Sequence, residues 1–118
     1  MTPQQRNEYI AEKILDGDRI CHDNNRLLGW YIPRVYRFFP IDTNFEFLPE
    51  WVGPICDVVL PMLAEEGWSM SFLLNGYVEV CDSEGWAILD IPPAPLSTVL
   101  IDAHMKNSEG ERKHGEEG

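Results

Sequence analysis

A chain of 118 residues has room for one domain, burying about two-thirds of the surface its unfolded form exposes, and its 44% hydrophobic and 11% aromatic content argues against disorder in the main body. Its 20 acidic and 9 basic residues give a net charge of −11, and residues 38–105 contain eleven acids with no Lys or Arg. That segment repels nucleic-acid and membrane phosphates and favours basic protein surfaces, although self-repulsion that keeps the chain soluble accounts for the same excess.

The first element is a short amphipathic helix. Thr2 is the N-cap, Pro3 takes the first helical position, Ile10, Ala11, Ile14 and Leu15 form the apolar face, and Gly17 ends it. Asp18–Arg26 reads as a loop, with Asp23-Asn24-Asn25 as turn formers. "LLGWYIPRVYRFFP" is aromatic and β-branched but contains Pro33, which predicts an edge strand or an extended segment. From Leu48 the period becomes helical. Trp51, Ile55, Val58, Val59, Met62 and Leu63 share a face, Pro61 predicts a kink or an early end, and Gly67 is the stop.

"EEGWSMSFLLNGYVEVCDSEGW", residues 65–86, follows. Asn75-Gly76 predicts a two-residue hairpin turn in which Leu74 faces Tyr77, Leu73 faces Val78, Ser71 faces Val80 and Met70 faces Cys81. Leu73, Val78 and Val80 then share one face, and Glu79 joins Phe72 on the other. Asp82–Gly85 is a second turn, "WAILD" a third strand, and Leu96, Val99, Leu100 and Ala103 give a terminal helical face to about Met105. Residues 107–118 read as a flexible tail, leaving 1–106 as a single domain with no internal repeat. The fold class is α+β: a three-layer α/β/α sandwich with a small antiparallel sheet flanked by helices.

Three stretches, "NEYIAEKILDG", "EWVGPICDVVLPMLAEEGW" and "APLSTVLIDAHMK", together resemble the phage ABA-sandwich domain family, small proteins of bacteriophages and prophages. The resemblance implies the three-layer arrangement and a phage origin, and carries no catalytic residues with it. The chain departs from that pattern by an Arg- and aromatic-rich insertion at about 18–47, and by lacking a Gly-Trp directly after the first helix unless Gly29-Trp30 supplies it.

The chemistry-bearing residues are few. Cys21-His22-Asp23 set a thiol beside a base, but sequence neighbours rarely point at one another, and Cys21, His22 and His104 lack the spacing of a metal site. His104 suits the last turn of the terminal helix, where a cation meets the helix dipole. Three cysteines without a CxxC spacing fit a reducing cytoplasm, and Cys56 and Cys81 read as small core residues. No run is long enough for a membrane helix, and no signal-peptide pattern is present, so a soluble intracellular protein is expected.

Three functional hypotheses remain. In the first, a non-enzymatic phage protein in the host bacterial cytoplasm binds and inhibits a host protein with a basic surface. That host protein is a nucleic-acid-binding component of antiviral defence, such as a CRISPR effector, and its contact is an acidic patch of Glu65, Glu66, Glu79, Asp82, Glu84 and Asp90. Asp82 and Glu84 should lie near Glu66, because the helix-to-strand corner and the second turn fall at one end of the sheet. This reading requires no cofactor, no metal, no membrane and no direct nucleic-acid contact. In the second, an oligomer binds a nucleotide signal through Trp30, Tyr31, Arg34, Tyr36 and Arg37, since arginine and aromatic side chains together suit phosphate and base. A phage accessory protein of another role is the third possibility. Trp30, Trp51, Trp68 and Trp86 otherwise read as core and sheet-face packing.

Overall fold

The computed structural model describes the backbone of residues 1–117 and the side chains of residues 1–109. It is an α+β fold whose contacts divide it into two compact units, Met1–Pro54 and Ile55–Gly118.

In the first unit, helix α1 (Pro3–Tyr9) starts as its sequence dictates. The Thr2 hydroxyl accepts from the Gln5 N–H and the Gln5 side chain accepts from the Thr2 N–H, a reciprocal capping box. The chain continues in a wide π turn, Ile10–Ile14, that buries Ile10, Ala11 and Ile14. Asp16 at φ 56° takes the left-handed position, one residue ahead of the predicted stop at Gly17. Strands β1 (Asp18–Cys21), β2 (Leu27–Ile32) and β3 (Arg37–Pro40) form an antiparallel meander in that order.

Two expectations are corrected here. Residues 18–21 are a strand rather than loop, and β2 lies at the centre of its sheet rather than the edge. Pro33 does not prevent this, because it falls just after the strand and opens a single tight turn, Pro33–Val35.

Trp30, Phe39, Phe45 and Trp51 pack edge-to-face at centroid separations of 4.8–6.1 Å. Polar clamps hold this aromatic core. The Asn7 amide donates to the Thr43 carbonyl and accepts from the Phe45 N–H, while Arg6 grips the buried Glu46 carboxylate through two parallel bonds of 2.8 and 3.0 Å. Glu12 Oε2 accepts from both the buried Trp30 indole at 3.1 Å and Arg19 at 2.8 Å. At Gly29 the sheet leaves no space for a side chain, since a Cβ there would lie 2.1 Å from the Phe39 carbonyl oxygen.

The boundary between the units falls in the first turn of α2 (Val52–Glu66), which follows a tight turn at Pro49–Trp51. Ile55, Val59 and Leu63 are buried, and Pro61 does not end the helix. Gly67 at φ +73° stops it as predicted. Its N–H donates to the Ala64 carbonyl and the Trp68 N–H donates to that of Leu63, the paired bonds of a Schellman ending. Strands β4 (Ser69–Phe72), β5 (Val78–Cys81) and β6 (Ala87–Ile91) form the second meander, and α3 (Leu96–Glu117) contributes Val99 to the core of Val78, Val80 and Ile91. The terminal helix therefore runs past the predicted end at Met105, and His104 lies inside it rather than in its last turn. Of the predicted tail, the side chains of 110–118 lie outside the described residues.

The β4–β5 register differs from the expectation by one residue. Asn75 does not adopt the positive φ that a two-residue turn of this kind requires, and only Gly76 does, at +90°. Leu73 and Tyr77 close a three-residue loop instead, with the Leu73 N–H donating to Tyr77 and the Gly76 N–H to Leu73. Phe72 therefore pairs with Val78, Met70 with Val80 and Ser71 with Glu79. The same turn recurs at His22–Arg26 and Asp82–Trp86, closed by left-handed Asn25 and Gly85. Both units thus run helix, left-handed residue, then three-stranded meander, a structural repeat that no sequence identity announces.

Two stability outcomes follow from unit one. Glu12→Ala should lower unfolding free energy by about 1–3 kcal/mol in urea titration, because it strands the buried Trp30 N–H, whereas Glu12→Gln, which keeps an acceptor, should lose clearly less. Gly29→Ala should abolish the cooperative transition of the unit, and an unchanged midpoint would contradict the close strand approach.

Candidate acidic face

The corrected register decides where the carboxylates go. On the core side of the second sheet lie Met70, Val78, Val80, Leu89 and Ile91; on the opposite face Ser71 pairs with Glu79, which pairs in turn with Asp90. Glu79 and Asp90 are therefore like charges directly opposed across two strands, an arrangement that destabilises a sheet. Glu79 faces Ser71 and not Phe72, which corrects the predicted faces.

Glu65 and Glu66 are exposed at the end of α2, and Glu84 is exposed at the tip of the β5–β6 turn. A Cβ built on Gly67 would lie 3.2 Å from Ser83 Cβ, so the helix-to-strand corner and that turn do lie side by side. Asp82 has a structural duty: its Oδ1 accepts from the N–H groups of Glu84 at 2.9 Å and Trp86 at 3.0 Å. The six carboxylates thus form two groups, the opposed pair Glu79 and Asp90 on the sheet face and Glu65, Glu66, Asp82 and Glu84 at one corner. Among the described residues no cationic side chain pairs with any of them.

The aromatic and arginine set is dispersed. Trp30 is wholly buried with its N–H spent on Glu12, and Tyr31 lies on the other face of β2 opposite Asp18 and Phe38. Arg34 donates to the Pro54 carbonyl at 2.8 Å, Arg37 lies 5.0 Å over the Phe39 ring, and Tyr36, left-handed at φ 55°, projects into solvent. Both guanidinium groups are thus already engaged by their own unit, and no stacking platform forms around Trp30.

Of the four tryptophans, Trp30 and Trp51 are core and Trp68 packs against the second core, but Trp86 is 71% exposed. The exposed run Phe72-Leu73-Leu74 at the β4–β5 turn escaped sequence reasoning. Its signal was present as three consecutive apolar residues beside a turn pair, but the mistaken register turned Leu73 inward. Cys21 is exposed and Cys81 buried, and no group of three or more His, Cys, Asp or Glu side chains among the described residues is arranged to hold a metal ion. No described helix is long and apolar enough to cross a membrane.

The Cys81 thiol donates to Glu79 Oε1 at 3.3 Å. That hydrogen bond, followed by burial and the charges of Glu79 and Asp82, raises its pKa, so the thiolate forms only at higher pH than an ordinary cysteine requires. In a Cys21→Ser, Cys56→Ser background, Glu79→Gln should move the thiolate ultraviolet absorbance transition of Cys81 to lower pH; an unmoved transition would show that Glu79 does not hold the thiol. Compared with known proteins, the chain matches no family model, no curated protein and no solved structure.

Proposed function

We propose that this chain is a non-enzymatic protein-binding module whose acidic second unit engages a basic surface, and that it acts in the bacterial cytoplasm as a bacteriophage inhibitor of a host nucleic-acid-binding defence protein. The observation that carries the binding reading is the opposed pair Glu79 and Asp90. Two carboxylates face each other on a sheet surface with no described cation to offset them. Such a pair costs stability, and a surface that serves only solubility gains nothing from placing its charges opposite one another. A basic partner would relieve the repulsion on docking and be steered by the same field. The phage setting rests on the resemblance to the phage ABA-sandwich family in the helix and terminal-helix stretches, and the inhibition of a nucleic-acid-binding partner on the phosphate-like charge of a segment without Lys or Arg. The nucleotide-signal reading has less support, because Trp30 is buried and Arg34 and Arg37 are engaged within their unit.

The test compares the wild-type chain with a Glu79→Gln, Glu84→Gln, Asp90→Asn variant, leaving Asp82 in its turn. Immobilised wild type should retain a host protein that rising salt releases, since exposed ion pairs weaken within a moderate salt range. The variant should lose that protein while becoming more stable by about 0.2–1 kcal/mol as the opposed charges vanish. Equal retention by both chains would sink the acidic-face reading.

A further inference from the structure

The four sheet edges differ in how they discourage an incoming strand. β1 carries Asp18 and Arg19 and a register break beside Cys21; β3 carries Arg37 and Pro40; β6 carries Asp90, has a register break opposite Cys81 and runs into Pro92-Pro93. Charges, prolines and bulges are the devices by which edges avoid pairing with other chains. β4, Ser69-Met70-Ser71-Phe72, has no charge, no proline and an unbroken register with β5.

Its free side is also accessible. The Leu73 N–H donates to Tyr77, and bonded pairs alternate along an antiparallel ladder, so the ladder bonds fall on Leu73, Ser71 and Ser69. The N–H and C=O groups of Met70 and Phe72 therefore point away from β5, and among the described residues no backbone bond outside the sheet uses them. Ser69 and Ser71 are exposed, and Phe72 is 67% exposed although it shares the core face with buried Val78.

We propose that β4 is a docking edge that takes up an extended segment of a basic partner as a seventh strand, with basic side chains on one face and apolar ones on the other. The alternation follows from what the added strand would meet. On one face it lies beside Met70 and the uncovered Phe72, which favour apolar neighbours. On the other it lies beside the small Ser71, with Glu79 two strand spacings away, about 9–10 Å, and Asp90 beyond. A lysine or arginine reaching across Ser71 meets the Glu79 carboxylate within that distance. Backbone pairing supplies affinity in this mode of recognition, and the alternating side chains supply selectivity. The inference rests on the acidic-face reading, because Glu79 and Asp90 select the basic residues, and it adds the edge as the place of docking.

An octapeptide of alternating lysine and valine is the probe, with an alternating glutamate and valine octapeptide and a fully N-methylated lysine and valine octapeptide as comparisons. The first should bind the full chain and shift the Met70 and Phe72 amide resonances. The N-methylated peptide keeps the charge but cannot pair, so it should bind at least about tenfold more weakly, and the glutamate peptide should not bind. Ser71→Lys, a change at an exposed position facing Glu79, should weaken the first peptide to a similar degree while preserving the fold. Equal binding by the N-methylated peptide would overturn the edge and leave the acidic face standing; no binding by any peptide would overturn the edge proposal outright. Concentration-dependent broadening of the Met70 and Phe72 amides without peptide would assign the edge to a second copy of the chain and overturn the basic partner.

Discussion

The length of a hairpin loop governs what the second unit presents. A two-residue turn at Asn75-Gly76 and the three-residue turn observed differ by one residue of register, and one residue moves every side chain of β4 to the opposite face relative to β5. Because Leu73 and Tyr77 close the loop, Phe72 lies on the core side without being covered, Ser71 stands beside Glu79, and the acidic pair is left with a small polar neighbour. The asparagine serves this loop through its side chain: Asn75 Oδ1 accepts from the Tyr77 N–H at 3.1 Å, as Asn24 Oδ1 accepts from Arg26 at 3.0 Å in the first unit. The left-handed position is then supplied by the next residue, glycine in two of the turns and asparagine in one.

A different interaction governs the first unit. Its sheet buries an indole N–H, and a buried donor without a partner costs more than the hydrogen bond itself contributes. Glu12 answers that demand from the π turn after α1 and holds Arg19 with the same oxygen, so one carboxylate ties helix, strand and core together. Arg6 and Asn7 do the same for the loop that delivers Phe45 into the aromatic cluster. The arginines and aromatics that resemble a ligand set in the sequence are largely consumed by this arrangement. Composition alone cannot separate a binding set from an internally satisfied one, because both need the same residue types.

The parts legible in the sequence were those in which local chemistry and burial agree. Thr2 and Pro3 mark a helix start whichever surface the helix packs on, and the stripe through Ile55, Val59 and Leu63 ends where Gly67 can take positive φ. The three-stranded order of residues 69–91 and the closeness of the Gly67 corner to the Asp82–Trp86 turn were equally readable. What escaped was set by tertiary context. β1 reads as loop because it opens on the charged pair Asp18-Arg19 and leads into the turn formers Asp23-Asn24-Asn25, yet its backbone is held by a partner strand whose own identity was obscured by Pro33. The six acidic residues were identifiable by type, but their division into an opposed pair and a corner group depends on a register that the Asn-Gly signal misdirected.

Charge and edge in the second unit reinforce each other physically. An uncharged edge strand is an aggregation hazard when copies of the chain can approach one another. Here copies meet the field of a segment with eleven acids and no Lys or Arg between residues 38 and 105, so a second β4 brings its own Glu79 and Asp90 toward those of the first. Like-charge repulsion thus protects the edge against self-pairing at a distance, without the charged residues, prolines and register breaks that guard the other edges. The same field attracts a strand of opposite charge, so the protection is selective: it fails toward basic segments and holds toward copies of the chain. An edge left without local guards is consistent with stability because the long-range term replaces them, and that term weakens with salt over the length scale of the strand itself.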